Sequence, residues 1–178
     1  MAPRHVVLVG MMGAGKTTVG RLAAAQLGWR FVDTDDEIAA GAGRTIPEIF
    51  QEQGEAAFRR LESAALAAAL AGEAASVIAT GGGVVQESEN RARLRPATGG
   101  AGGAGEVLVV HLDASVEALV ARVDGGAGRP LLAADAAGAV RALAARRAPL
   151  YREVAAATIA TDACGPEEAA AEIVGMCT

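Results

Sequence analysis

The stretch His5-Val6-Val7-Leu8-Val9-Gly10-Met11-Met12-Gly13-Ala14-Gly15-Lys16-Thr17 decides how this chain is read. Its opening residues form an unbroken apolar run, the pattern of a strand buried on both faces of a parallel sheet. From Gly10 onward the residues match Gly-x-x-x-x-Gly-Lys-Thr in full, and helical spacing over residues 16–27 follows, stopped by Gly28. Strand, glycine turn and helix in that order are the setting a phosphate-cradling loop needs. Glycines let the backbone curl until its N–H groups point at one centre. The helix N-terminus adds partial positive charge there. Lys16 supplies a full charge to the β- and γ-phosphates of ATP, and the Thr17 hydroxyl can ligate Mg²⁺. Gly13, Ala14, Gly15, Lys16, Thr17 and Thr18 are therefore the predicted nucleotide-binding residues.

Outward from this loop, short β-branched runs alternate with helical segments. Strands are predicted over residues 5–9, 30–32, 76–80, 107–112 and 158–161. Helices are predicted over 37–40, over 46–53 with Pro47 in the first turn, and over 55–71, 89–94 and 135–154. Ser115 reads as the N-cap of another, and Pro166 opens the last. No internal repeat is present. The pattern gives an α/β fold in three layers, a parallel five-stranded sheet flanked by helices, with the chain forming one domain over residues 1–178. Residues 96–105 are rich in Gly and Ala and read as a surface loop. Residues 125–134, another Gly-rich break, contain Arg129-Pro130-Leu131-Leu132.

Composition narrows the function. The chain has 178 residues, 52% of them hydrophobic, enough for a core without disulfides or a structural metal. A net charge of −5 leaves no basic surplus for nucleic acid. Cys164 and Cys177 lack metal-ligand spacing and read as free thiols in a reducing compartment. The apolar run at the N-terminus is too short for a membrane span or signal segment, so a cytoplasmic location is expected.

Candidate acceptor-side residues lie after the second and third strands. Asp33 and Asp35 stand at the end of the second strand, the sheet edge that forms the ligand crevice in parallel folds. One carboxylate can hold the Mg²⁺ water shell while the other meets an acceptor hydroxyl; a helix N-cap is the plainer alternative. In Phe58-Arg59-Arg60-Leu61-Glu62, Arg59 and Glu62 share a helix face, which a solvent-exposed ion pair would also explain. Arg147, in Arg146-Arg147-Ala148-Pro149-Leu150-Tyr151, sits late in a predicted helix, where the dipole favours a cation anyway. Gly81-Gly82-Gly83 after the third strand lets a ligand approach the backbone closely. No Asp ends that strand, so metal support falls to Asp33 beside Thr17.

Taken together and in order, residues 10–17, Asp33-Thr34-Asp35, Phe58-Arg59-Arg60-x-Glu62, Gly81-Gly82-Gly83, Arg129-Pro130-Leu131-Leu132 and Arg147-Ala148-Pro149-Leu150-Tyr151 resemble the shikimate kinase family over nearly the whole chain. The resemblance implies ATP-dependent phosphorylation of shikimate to shikimate 3-phosphate, in the pathway to chorismate and the aromatic amino acids. It implies Asp35 at the acceptor hydroxyls as base, Arg59 and Arg147 on the shikimate carboxylate, and Gly82 against the ring between Gly81 and Gly83. It places acceptor binding on the helices of residues 34–71. Arg129 would reach the phosphates from a lid over 125–134, making Lys16, Asp35 and Arg129 the catalytic set. Asp33 and Thr17 would support magnesium, while Arg122 and Pro166 would flank the adenine. The insertion-like loop 96–105 and Cys164 near the adenine depart from the family pattern.

Two other readings use the same phosphate loop. One is another small-metabolite kinase, such as a gluconate or nucleoside monophosphate kinase; the other is a nucleotide-binding module without transfer activity. Aromatics, at 3%, are scarce for reading a base. Paired arginines, Asp35 and the glycine triplet suit a small polyhydroxy carboxylate. The expected partner is thus a small molecule, with no nucleic acid or membrane, and the chain is expected to act as a monomer.

Overall fold

The computed structural model describes residues 2–95, 106–124 and 136–178. The lid expected over 125–134, with Arg129, and the loop expected over 96–105 both lie outside the described residues. The described elements run β1 (His5–Val9), α1 (Lys16–Leu27), β2 (Arg30–Asp33), α2 (Thr34–Ala42), α3 (Ile46–Leu70), β3 (Ser76–Ala79), a 3₁₀ turn (Val84–Gln86), α4 (Ser88–Leu94), β4 (Val107–Asp113), α5 (Val116–Asp124), α6 (Ala136–Val154), β5 (Ala157–Ala160) and α7 (Pro166–Cys177). Every strand pairing is parallel, and the sheet order is β2-β3-β1-β4-β5. The five-stranded parallel α/β architecture read from the sequence is the one observed.

β1 is central, and Val6, Val7, Leu8 and Val9 are fully buried because neighbours cover both edges and helices cover both faces. Val19, Ala23 and Ala24 of α1 pack there, with Ala169, Ala170 and Ile173 of α7 and Tyr151 and Val154 of α6. Small Ala side chains bring the helices close to the sheet. A smaller cluster of Ile38, Ile49 and Phe58, with the Phe50 ring tilted against Phe58 at 4.5 Å, sits between α2 and α3. This satellite core fixes the helix pair that carries Arg59. Among the described residues no helix is long and apolar enough to cross a membrane, and Cys164 and Cys177 carry free thiols.

Beyond single-residue shifts at other element ends, two helices differ from the sequence reading. The helix expected over 37–40 begins at Thr34, because the Asp33 carboxylate accepts from the Asp35 N–H at 3.1 Å and takes the N-cap position. Asp35 therefore lies in the first turn of α2, not at the end of a strand. The segments 46–53 and 55–71 form one helical element broken at Gly54, whose φ of 79° and ψ of 172° interrupt the helix. Thr45 and Glu48 close a capping box at its start.

Candidate active site

The phosphate loop leaves β1 and turns into α1 through Gly13 and Gly15, at φ 80° and 93°, values that side chains rarely tolerate. Lys16, 9% exposed, folds back over the loop and donates to the Gly10 and Met11 carbonyls at 2.8 and 2.9 Å. Thr17 and Thr18 are exposed in the first turn of α1. Thr17 Oγ1 donates to Asp33 Oδ2 at 2.8 Å, so the hydroxyl and carboxylate expected to support magnesium stand side by side. Among the described residues no group of three or more acidic, His or Cys side chains could cage a metal. That donor set fits Mg²⁺, which commonly takes one or two carboxylates and completes its shell with water and substrate phosphates.

Behind the loop, Thr161 and Arg122 form a brace. The Thr161 hydroxyl donates to the Ala14 carbonyl at 3.0 Å and contacts the Asp113 carbonyl at 3.2 Å. Arg122 donates to the Gly13 carbonyl at 3.1 Å, to Thr161 Oγ1 at 3.2 Å and to the Thr161 carbonyl at 2.8 Å. Arg122 thus reaches the phosphate loop itself. Pro166, its predicted partner at the adenine, opens α7 after the Gly165 N-cap. Cys164 is half-buried, its thiol against the Ala160 carbonyl at 3.4 Å. Sequence patterns gave no signal for Thr161, a lone threonine after an edge strand.

Across the loop, the glycine triplet at the end of β3 is where the acceptor-side residues meet. A Cβ on Gly81 would collide with Glu62 Oε1 and stand 2.9 Å from Asp35 Oδ1. One on Gly83 would fall within the Arg59 guanidinium. One on Gly82 would lie 3.3 Å from the Met12 nitrogen and 3.7 Å from Arg147 Nη1. The triplet therefore makes room for the protein's own Asp35, Glu62 and Arg59, a more specific role than free access for a ligand. Asp35, Arg59, Arg147 and the phosphate loop converge on one edge.

Glu62, read from sequence only as a helix-face partner of Arg59, is 1% exposed. Arg59 Nη1 donates to Glu62 Oε2 at 2.6 Å, and Arg59 Nη2 reaches the exposed Glu55 at 3.2 Å. Burial lifts the Glu62 carboxyl above its usual range, against the pull of Arg59. The pair is therefore buried, which removes the surface-ion-pair alternative.

On α6, Tyr151 lies one turn beyond Arg147. Its hydroxyl donates to the Gly82 carbonyl at 2.5 Å, and its ring stacks on His111 at 5.0 Å. Burial pushes the phenol up to about 12, so it stays a donor throughout the neutral range, and burial pushes His111 down. Arg147 is half-buried despite lying in a helix whose dipole alone could explain a cation.

Known proteins place this geometry. The family model described as shikimate kinase matches residues 12–178. The shikimate kinase of Symbiobacterium thermophilum is 48% identical over 173 residues, covering 96% of this chain and 94% of that protein. That of Salinispora tropica is 47% identical over 176 residues, covering 99% and 98%. Among solved structures, the Acinetobacter baumannii shikimate kinase in complex with shikimate superposes with a TM-score of 0.86 at 39% identity, covering 99% of this chain and 93% of that one. A nucleotide loop facing convergent arginines and near-full-length likeness at this identity lead to one assignment: the chain belongs to the shikimate kinase family.

Proposed function

We propose that this chain transfers the γ-phosphoryl group of ATP to a hydroxyl of shikimate, forming shikimate 3-phosphate and ADP. The observation that carries the reading is the meeting of Arg59 and Arg147 at the glycine triplet, beside the phosphate loop. Two guanidiniums aimed at one place form a receptor for a planar carboxylate. The solved relative from Acinetobacter baumannii was determined with shikimate bound, which supports a substrate of that kind here.

Phosphoryl transfer asks the protein mainly for positioning and charge neutralisation. Arg59 and Arg147 hold the acceptor carboxylate, and Gly82 borders the ring. Asp35, anchored in the first turn of α2, orients the acceptor hydroxyl and takes its proton late in the transfer. Lys16 and the loop N–H groups steady the β- and γ-phosphates, with Arg129 reaching them from the proposed lid. Arg122 and Pro166 flank the adenine. When bound beside Thr17 and Asp33, Mg²⁺ neutralises phosphate charge. A nucleoside monophosphate acceptor would need groups that read a base, and gluconate lacks the rigid ring that the Gly82 backbone would border.

A coupled ADP-release assay offered shikimate, gluconate and nucleoside monophosphates separates these readings. Rapid turnover is expected with shikimate alone. Preference for gluconate or a nucleotide would replace the substrate assignment, and ATP binding with no turnover would leave a nucleotide-binding module. Arg59→Lys is expected to raise the KM for shikimate while leaving that for ATP; equal weakening of both would count against the arginine's role.

A further inference from the structure

Between the two acceptor arginines stands a residue that the sequence reading did not single out. Gln86 ends the 3₁₀ turn that follows the glycine triplet, and its side chain is exposed at the rim of the site. Only donors surround one side of its amide, which assigns the oxygen to that side. There it accepts from Arg59 Nη2 at 3.3 Å and from Arg147 Nη2 at 3.1 Å. One oxygen thus ties together guanidiniums from α3 and α6.

The backbone of Gln86 is held from both ends. Its N–H donates to the Gly83 carbonyl at 2.9 Å, and its carbonyl accepts from Arg91 Nη1 at 2.9 Å. Arg91 Nη1 also reaches the Val85 carbonyl at 2.8 Å, and Arg91 Nε is fixed by Glu153 of α6 at 3.1 Å. The same α6 carries Arg147, so the amide and one of its donors are tied to a common frame. Meanwhile Arg147 Nε is buried with no hydrogen-bond partner among the described residues.

We infer that Gln86 is a positioning residue for the acceptor carboxylate, its amide oxygen drawing Arg59 and Arg147 together without neutralising either. The inference rests on the proposed carboxylate clamp. Two like charges brought to one point repel, and something must offset that repulsion. A carboxylate at position 86 would do so more strongly, but it would use the charge meant for the substrate. Glu62 already balances part of Arg59 and Asp35 stands close by, so the site can spare none. A neutral oxygen accepts from both guanidiniums and leaves their charge to the incoming anion. A lysine there would add to the repulsion, and an aliphatic residue would leave the arginines to spread apart.

The test compares Gln86→Leu and Gln86→Glu with the unaltered chain by steady-state kinetics, using shikimate and its analogue with a carboxamide in place of the carboxylate. Thermal melting first establishes that each variant folds. For Gln86→Leu the KM for shikimate is expected to rise about tenfold, the scale of one lost hydrogen bond to a charged group. The KM for ATP should stay within about twofold, and kcat should fall by less than the KM rises. With the carboxamide the Gln86→Leu effect should vanish, because no anion is present for the clamp to hold. Gln86→Glu should raise the shikimate KM further than Gln86→Leu, although it keeps the bridging geometry. Equal losses for both acceptors, an equal loss for ATP, or a Gln86→Glu variant as good as the native residue would each overturn the inference. If the native chain accepts the carboxamide as readily as shikimate, the arginine clamp itself falls, and the inference with it. If the native chain discriminates and Gln86→Leu changes nothing, only the role of Gln86 is lost.

Discussion

Replacing Arg59 by methionine isolates what it costs to keep Glu62 inside this protein. Methionine preserves most of the aliphatic stem and removes the guanidinium that donates to Glu62 Oε2 at 2.6 Å. Burial already raises the Glu62 carboxyl above its usual 4.5; Arg59 opposes this most, Asp35 adds to it, and Arg147 pulls less strongly the other way. Without Arg59, the ionised carboxylate keeps only the pull of Arg147. Removing one partner of a buried pair costs roughly 3–5 kcal/mol. Protonation sets a ceiling, since a carboxyl takes up a proton at about 1.4 kcal/mol per pH unit above its normal value. Counted from the normal value that ceiling is about 5 kcal/mol at pH 8 and about 2 kcal/mol at pH 6, and the deficit against the native chain stays below it because the native carboxyl is already raised. The sign follows from the raised value. Stability from such a group is complete below the unfolded 4.5 and is lost as pH rises through the folded value. Arg59→Met raises the folded value further, so its deficit must grow with pH, from less than about 2 kcal/mol at pH 6 to roughly 3 kcal/mol at pH 8, the low end of the cost of breaking a buried pair. Urea unfolding followed through the single Trp29 at fixed ionic strength measures this, for Arg59→Met, Glu62→Gln and the double variant. The double variant should recover most of the loss at pH 8. A deficit that is the same at both pH values, or a double variant no more stable than Arg59→Met, would refute the reasoning.

Other substitutions address the chemistry. Asp35→Asn is expected to lower kcat about 10²–10⁴-fold in a coupled ADP-release assay with little change in ATP binding, and an undiminished rate would remove Asp35 as the base. Gly83→Ala places a methyl group where the Arg59 guanidinium lies; the Kd for shikimate should rise more than about tenfold while ATP affinity holds, as calorimetric titration of each ligand will show. Thr161→Val leaves the Ala14 carbonyl without its hydroxyl donor and should weaken ATP binding several-fold, roughly 1–2 kcal/mol, with shikimate affinity little altered. Thr17→Val should raise the Mg²⁺ concentration needed for half-maximal rate; a titration at fixed ATP that matches the native curve would exclude a ligand role for that hydroxyl.

The fold was legible because its signals are local. The apolar run of β1 and the glycine spacing after it need no knowledge of distant residues, and the other strands repeat the same period. The start of α2 was misplaced for an equally local reason. Asp33, Asp35, Asp36 and Glu37 all suit a helix entrance, and only the geometry shows that Asp33 takes the cap. In the site, residues with family-like neighbours were named, whereas Glu62 passed for half of an ion pair. Its depth comes from α3 packing against the triplet, a long-range fact that an i, i+3 spacing does not carry. Gln86 and Thr161 were silent because amide and hydroxyl side chains act here through partners far along the chain, Arg59, Arg147 and Ala14.

The glycine triplet also explains why the acceptor side and the nucleotide side keep a fixed separation. Gly82 lies against the phosphate loop, close enough that a Cβ would stand 3.3 Å from the Met12 nitrogen and 3.5 Å from the Gly10 carbonyl. Its own carbonyl is held by Tyr151, one turn from Arg147 on α6. Gly81 and Gly83, on either side, seat Glu62 with Asp35 and Arg59. A span of three residues therefore sets the distance from the phosphate loop to both arginines and to Asp35 through backbone contact, without long flexible arms. In-line transfer depends on that distance far more than on raw affinity. Disturbing the turn should consequently damage the alignment of two ligands that each still bind, whereas disturbing Lys16 or Arg147 should damage the binding of one.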